Sequence, residues 1–503
     1  MKFLKILLIL GIIVQTIVFA EDYIRISKIH INAKDVFDDA VIHSQIEENL
    51  YRLGNLVHIE TRESVIRAKL PFKEGDVISY SEILETEKNL RALRYISDAN
   101  ILVQKDSFGN ADLYIETSDN WTFAPEFSLG KPGEKWLWGV GLLESNLLGF
   151  GHTVGFFYKH TQERDLKYLL YKNDDFIFPH NRFNFLLSEN SDGFSRSVGL
   201  NYPFIRRAKN QWSYNVEWLW EKRDENYYEN LREDSLSFWI SRSFGGTSFK
   251  IYMGAGYDYH LLGVRDSRVG FSVAASNIRL EKRYNLHRVK WAEDIELGYY
   301  IKTVVAKNFE ELNAEHDDWY FEQKINLTQG TRSHYFAARG LNTFYYDNDD
   351  IRDMHSTLFG EYIFKPGLKW SSVLNAQIDS WQNITFPRRL YLDGFSIFPG
   401  APVRYLEGEN TFAFKAEQRY FPNFEFFTQI PSFTVFLTAG QATERLRNFE
   451  PRDLIYMAGI GLRGSSSKSV QGIVSHINLS WPLNGDLKDG FVPRFSFVGK
   501  MEL

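Results

Sequence analysis

The sequence predicts a transmembrane antiparallel β-barrel preceded by one small α/β domain. Three observations predict it. From Trp121 onward, segments of about ten residues alternate between apolar and polar side chains. The apolar faces often end in Trp, Tyr or Phe, as an interfacial aromatic girdle would, while the polar faces carry Ser, Gly, Lys, Glu and Asp, as a wet lumen would. An N-terminal export signal places the chain where such barrels occur. A secreted β-sandwich or propeller also alternates and is the competing architecture.

Composition narrows the classes. The chain has 503 residues and Cys 0, which excludes a disulfide scaffold, a thiolate metal site and a cysteine nucleophile. Its 44% hydrophobic and 16% aromatic content argues against disorder. A net charge of -6 argues against a nucleic-acid binder. A helical membrane protein needs several apolar runs of about 20 residues. Only one comparable run is present, at the N-terminus.

That run, residues 1–20, reads as a signal peptide. Lys2 and Lys5 give the positive start, residues 7–18 are apolar, and Val18-Phe19-Ala20 precedes Glu21-Asp22. A retained anchor helix is the alternative, disfavoured by the short apolar run and the acidic flank. Cleavage takes the net charge from -6 to -8, with export to the periplasm, the outer membrane or beyond.

Residues 21–118 read as a mixed α/β domain. Tyr23 to Ile31 alternates like a half-buried strand. Helical spacing follows at 47–56 through Leu50, Leu53 and Val57, and at 81–93 through Ile83, Leu84, Leu90 and Leu93, with Ser79 or Ser81 as the cap. Residues 99–103 and 111–115 read as two strands around a turn at Phe108-Gly109-Asn110.

Residues 119–503 carry the barrel pattern. Trp212, Tyr214, Val216, Trp218 and Trp220 share one face, opposite Ser213, Asn215 and Glu217, with Leu219 the exception. Leu236, Phe238 and Ile240 lead through Gly245-Gly246 to Phe249, Ile251, Met253, Ala255 and Tyr257, a hairpin with one apolar and one polar face. About 15 candidate strands precede Trp381 and five follow Asn410, near 20 in all. The chain ends inside a strand, with Phe495, Phe497, Gly499, Met501 and Leu503 on one face. Pairing of first strand with last would remove the sheet edges.

Several segments resemble the POTRA-bearing outer-membrane barrel superfamily, also called bacterial surface antigens. It includes outer-membrane assembly factors, translocation-and-assembly factors and two-partner secretion transporters. The segment from His58 to Arg67, Phe72-Lys73-Glu74-Gly75-Asp76, Asn89-Leu90-Arg91-Ala92-Leu93 and the close at Asp119-Asn120-Trp121-Thr122 resemble a POTRA domain. Glu144-Ser145-Asn146-Leu147-Leu148-Gly149-Phe150-Gly151 resembles the family's turn between early strands. Arg288-Val289, Glu293-Asp294-Ile295 and Leu297-Gly298 are similar to a mid-barrel signature. Gly459 to Arg463 and Ile477 to Leu483 resemble the terminal strands. The resemblance implies 16 strands, preferred here over the raw count.

It also implies a loop folded into the lumen and tipped by an Arg-Gly-aromatic motif, whose arginine pairs with an inward acid. The loop here is 384–409. Pro399 stands at the arginine's place beside Gly400, and Thr438 at the acid's place. Losing both halves together is coherent, since losing one would leave a charge unpaired in a confined site. It also casts doubt on an activity that needs the pair. As a substitute, Arg404 is expected to reach Glu417, which shares a strand face with Lys415 and Arg419. Arg404 solvated at the loop tip is the alternative.

The expected POTRA domain has a strand edge that can accept an extended peptide, or else acts only as a plug or spacer. The expected barrel seam joins residues 121–129 to 495–503. An ordinary closed seam is expected there; the alternative is a seam that opens sideways for a client, because Pro125 removes a ladder donor and Gly499 weakens packing.

No GxSxG, HExxH or phosphate-binding glycine loop is present. His476 beside Ser475 and Asn478 is read as structural rather than hydrolytic. The acidic loops 315–318 and 347–353 read as solvated loop ends rather than calcium sites. The expected protein is a non-enzymatic outer-membrane barrel with its N-terminal domain in the periplasm. It needs no cofactor or metal, touches outer-membrane lipid, and assists insertion or export of a polypeptide client. A non-translocating pore or structural surface antigen is the alternative.

Overall fold

A computed structural model describes residues 23–37, 45–107, 110–130, 136–161, 164–205, 210–223, 231–246, 249–262, 264–287, 292–347, 350–385, 388–394, 396–422, 424–425, 429–466, 474–488 and 492–500. The signal peptide, Phe108-Gly109, Arg288-Val289 and Met501 to Leu503 lie outside the described residues.

The N-terminal unit is a four-stranded sheet with helices on it. Its strands are β1 (Tyr23–Lys34), β2 (Val77–Ser79), β3 (Ile96–Lys105) and β4 (Asn110–Asp119), and its helices α1 (Gln45–Val57), α2 (Glu63–Ala68) and α3 (Tyr80–Arg91). The sheet order is β2-β1-β4-β3. β1 runs parallel to β4, which requires the helical crossover between them. The alternation expected in β1 buries Ile24 and Ile26 and exposes Tyr23 and Arg25. They join Ile66, Ile78, Leu90, Leu113 and Ile115 in one core. Of the two serines offered as the cap of α3, Ser79 takes the role. Its hydroxyl accepts from Glu82 N while the Glu82 carboxylate accepts from Ser79 N at 3.0 Å, a capping box. The sequence pattern missed α2 and β2; each is too short to show a period.

The second sheet is antiparallel, and each strand pairs with the next in the chain. It starts at Phe123–Gly130 and ends at Arg494–Lys500. Among the described residues its order contains twenty strands, the raw sequence count rather than the sixteen that the resemblance implied. Two short strands, Leu390–Leu392 and Leu406–Gly408, pair with each other inside the loop between Trp370–Gln382 and Asn410–Tyr420. Strand Arg494–Lys500 comes round to the first strand at Val498 opposite Gly130.

The two faces of this sheet invert the usual order. Val435 is 61% and Phe271 69% exposed, and Leu236, Phe238 and Ile240 lie open beside them. On the opposite face Thr434, Thr438, Asn478, Ser480 and Ser496 are buried. A water-soluble sandwich would bury the first set and expose the second. The arrangement is consistent with a β-barrel. Among the described residues no helix is long and apolar enough to cross a membrane, which says nothing of strands.

Candidate functional site

The segment Asp119-Asn120-Trp121-Thr122 joins the two sheets and is held on every side. Asp119 Oδ2 accepts from Thr61 N at 2.7 Å. Asn120 N donates to Tyr95 O and its side-chain amide to Arg94 O, both at 2.9 Å. From the first turn of the large sheet, Asn146 Nδ2 donates to Thr61 Oγ1 at 2.8 Å, and Ser145 N to Thr122 O at 3.1 Å. Burial raises the Asp119 carboxyl to about 6, against the opposing hydrogen bonds from Thr61. The joint is therefore a built contact rather than a loose linker.

Among the described residues the longer of the two edge strands of the N-terminal sheet is β3. Two side chains of α3 cover part of it. Glu87 Oε1 accepts from Ile101 N at 2.8 Å, and Arg91 Nη1 donates to Ala99 O at 2.6 Å. The same guanidinium forks onto Asp294 of the large sheet, Nε to Oδ2 at 3.0 Å and Nη2 to Oδ1 at 2.6 Å, the strong bidentate geometry. Lys88 with Glu296, and Lys282 with Asp98 of β3 at 3.2 Å, also join the N-terminal unit to the large sheet. Asp294 sits in the stretch that resembles a mid-barrel signature, so that stretch is one of the places where the N-terminal unit docks. The i,i+4 spacing of Glu87 and Arg91 was the available sequence signal for this pair. Asp294 had no local signal.

Loop 384–409 lies against the inward face of the large sheet. Its base is stapled by Asp393, whose main-chain oxygen accepts from Phe398 N at 2.9 Å and whose Oδ2 accepts from Arg404 N at 3.1 Å. The tip buries Phe398 and Ala401 against Leu392 and Met457. Pro399 O accepts from the Ser480 hydroxyl, and Gly400 O from Arg494 Nη1 at 3.3 Å. Gly400 has φ +87, and a Cβ there would stand 2.7 Å from that of Arg494, so only glycine fits. Thr438 is buried on the wall, its hydroxyl donating to Met457 O at 3.4 Å. The tip is thus held by backbone carbonyls and apolar packing where the resemblance implied an ion pair.

The expected pairing of Arg404 with Glu417 is not what forms. Arg404 has φ 58, which turns the chain back toward Asp393, and its guanidinium lies 5.2 Å over Tyr391. Glu417 is enclosed by three other cations: Lys415 and Arg419 at 2.6 Å and Arg463 at 2.9 Å. Lys415 and Arg419 share its strand; Arg463 comes from Ile455–Ser466, two strands on. Arg463 also meets His476 Nδ1. Arg419 Nη1 reaches away to donate to Leu286 O at 2.9 Å.

Leu286 belongs to a turn that also packs inward. It is buried among Ile295, Leu297, Tyr335 and Ile363. His287 beside it pairs through Nε2 with Glu361 at 2.9 Å and through Nδ1 with Glu293 at 3.2 Å. Inserts therefore approach the inner wall from both ends: loop 384–409 from one and residues 285–287 from the other.

Pro125 lies on the first strand opposite Leu142, and Gly499 on the last opposite Ser475. Among the described residues the two strands meet at Val498 opposite Gly130, and only Met501 to Leu503 of the expected seam lie outside the described residues. The acidic loops are not simply solvated. Asp318 and Asp353 are buried and share Arg352, at 2.7 Å and 3.0 Å respectively. Among the described residues no group of His, Asp and Glu has the arrangement of a metal site.

No family model matches the sequence, and no curated protein matches it. Among solved structures the chain is similar to BamA from Haemophilus ducreyi lacking POTRA domains 1–3, at 12% identity over 94% of this chain and 84% of that one, TM-score 0.39. It is similar to CdiB from Escherichia coli, at 10% identity over 94% and 76%, TM-score 0.47. It is also similar to CdiB from Acinetobacter baumannii, at 12% identity over 99% and 95%, TM-score 0.42.

Proposed function

We propose that the chain is an outer-membrane barrel of the POTRA-bearing superfamily that assists insertion or export of other polypeptides. Residues 21–118 are its periplasmic POTRA domain and 119–503 its membrane-spanning part. The observation that carries this reading is the edge strand β3, paired only with β4 and fixed beside the large sheet. Such an edge can take an extended client as an added strand through main-chain hydrogen bonds, tolerating many sequences. Glu87 and Arg91 already occupy Ile101 N and Ala99 O, so client pairing starts at Val103 to Lys105.

Val103→Pro removes one edge donor, and proline is tolerated on edge strands. In proteoliposomes the variant is expected to keep its fold and lose most client insertion or translocation. Unchanged client traffic would overturn the reading. The replacement of the lumen ion pair by Pro399 and Thr438 favours a second reading, a structural surface antigen that moves no client. Passive solute leak without client insertion would instead mark a pore.

A further inference from the structure

Two turns on the side of the N-terminal unit carry side chains that a water-facing turn should not. In the first, Leu148 has φ 56 and is 56% exposed, between exposed Leu147 and Phe150. In the second, Ile177 has φ 69 and is 83% exposed, next to exposed Phe178. A non-glycine residue in the left-handed region is uncommon, and a β-branched one is an outlier. Each turn thus holds a large aliphatic group in a strained backbone and points it outward, away from any core. Strain of this kind persists where surrounding structure enforces it. Here the N-terminal unit does so: Arg62 N donates to Gly149 O at 3.2 Å, and Lys69 pairs with Asp175 at 2.6 Å.

An aromatic arc marks where these turns stand. Phe150, His152, Tyr171, Phe183 and Phe176 follow one another on the outer face, with ring centroids between 4.7 and 6.2 Å apart. Such girdles sit at the boundary between lipid and water. Leu148 and Ile177 lie at the tips of the turns next to that arc. The acids of the second turn are already matched: Asp175 by Lys69 and Asp174 by Arg182 at 3.9 Å. Insertion of its tip would bury no lone carboxylate.

We infer that the turns tipped by Leu148 and Ile177 insert into the periplasmic leaflet of the bilayer and anchor the N-terminal unit to it. The inference rests on the membrane reading above. It adds a lipid-binding surface outside the strand wall, formed where the two sheets are clamped together. The occupant is the acyl and glycerol region of the lipid, because the exposed groups are aliphatic and adjoin a girdle-like arc.

The chain has Cys 0, so single-cysteine variants of the full protein can carry a nitroxide label. Leu148→Cys and Ile177→Cys test the turns, Val435→Cys the wall, and Leu102→Cys the exposed surface of β3. The proteins are placed in vesicles of phosphatidylethanolamine and phosphatidylglycerol. Collisions with dissolved oxygen are compared with those from a water-soluble nickel chelate. The expected result is a severalfold higher oxygen-to-nickel ratio at 148, 177 and 435 than at 102. A water-like ratio at 148 and 177 beside an oxygen-rich 435 overturns this inference alone. Water-like ratios at all three overturn the membrane reading and the inference with it. Label-to-label broadening at 148 or 177 that disappears on dilution with unlabelled protein assigns the turns to a second copy and also overturns it.

Discussion

In β1, Ile24 and Ile26 turn toward a dry core, while in strand Gln429–Thr443 it is Val435 and Leu437 that face out and Thr434 and Thr438 that are enclosed. Both strands alternate with a period of two. What differs is which side is wet. The N-terminal sheet hides its apolar face under helices, as in any protein dissolved in water. The large sheet keeps polar groups inside and presents aliphatic and aromatic ones outward, as lipid requires. The same pattern of residues therefore carries different energetics in the two regions.

The contrast can be broken most forcefully at Glu417. Glu417 is itself buried even on this polar face, so Glu417→Gln strands Lys415, Arg419 and Arg463 together and costs about 3–5 kcal/mol. The shift of the urea midpoint for the folded gel band in lipid measures it. A cost near zero would mean the face is water-filled and the cations solvated. A pair of truncations sharpens the comparison next. Leu90→Ala, in the core of the N-terminal unit, is expected to cost about 2–5 kcal/mol. Val435→Ala, on the exposed wall, is expected to change stability within about 0.5 kcal/mol, since it opens no cavity in a packed core. Equal costs would erase the distinction.

The smallest effect concerns the joint between the regions. Asp119 is raised from 3.8 to about 6 in the folded chain. Between these values the folded state holds a proton that the unfolded state has released. Stability therefore falls as pH rises through that window, by about 2–3 kcal/mol in all, and stays low above it. Thermal melts from about pH 4 to pH 7 should show this slope, and Asp119→Asn should flatten it. A slope that survives the substitution would place the titration elsewhere.

Alternation and the Ser79 cap were readable because they are local: a period of two, and a serine three residues before a glutamate. The strand count was also readable, since the raw tally agreed with the twenty strands and only the preference drawn from the resemblance moved away from it. Of the two readings of Arg404, the pairing with Glu417 fails because spacing along a chain does not reveal a left-handed residue, and φ 58 sends the backbone back to Asp393. Arg463 was invisible as a partner of Glu417 because the two lie on strands whose closeness depends on register and barrel curvature. Pro399 and Thr438 were singled out only as departures in residue type from the resemblance. That backbone carbonyls and apolar packing would hold the tip instead could not be read from side-chain identities.

Arg91 stands in two contacts at once, the Ala99 carbonyl on β3 and the Asp294 carboxylate on the neighbouring sheet. Under the proposed function, a guest strand that grows past Val103 must displace Glu87 from Ile101 N and then evict that guanidinium from Ala99. Whatever the eviction costs is then shared with the grip on Asp294, and by reciprocity loosening that grip makes the guest easier to hold. Short segments would leave the fastening untouched and long ones would undo it, so the domain would gauge the length of what it has caught.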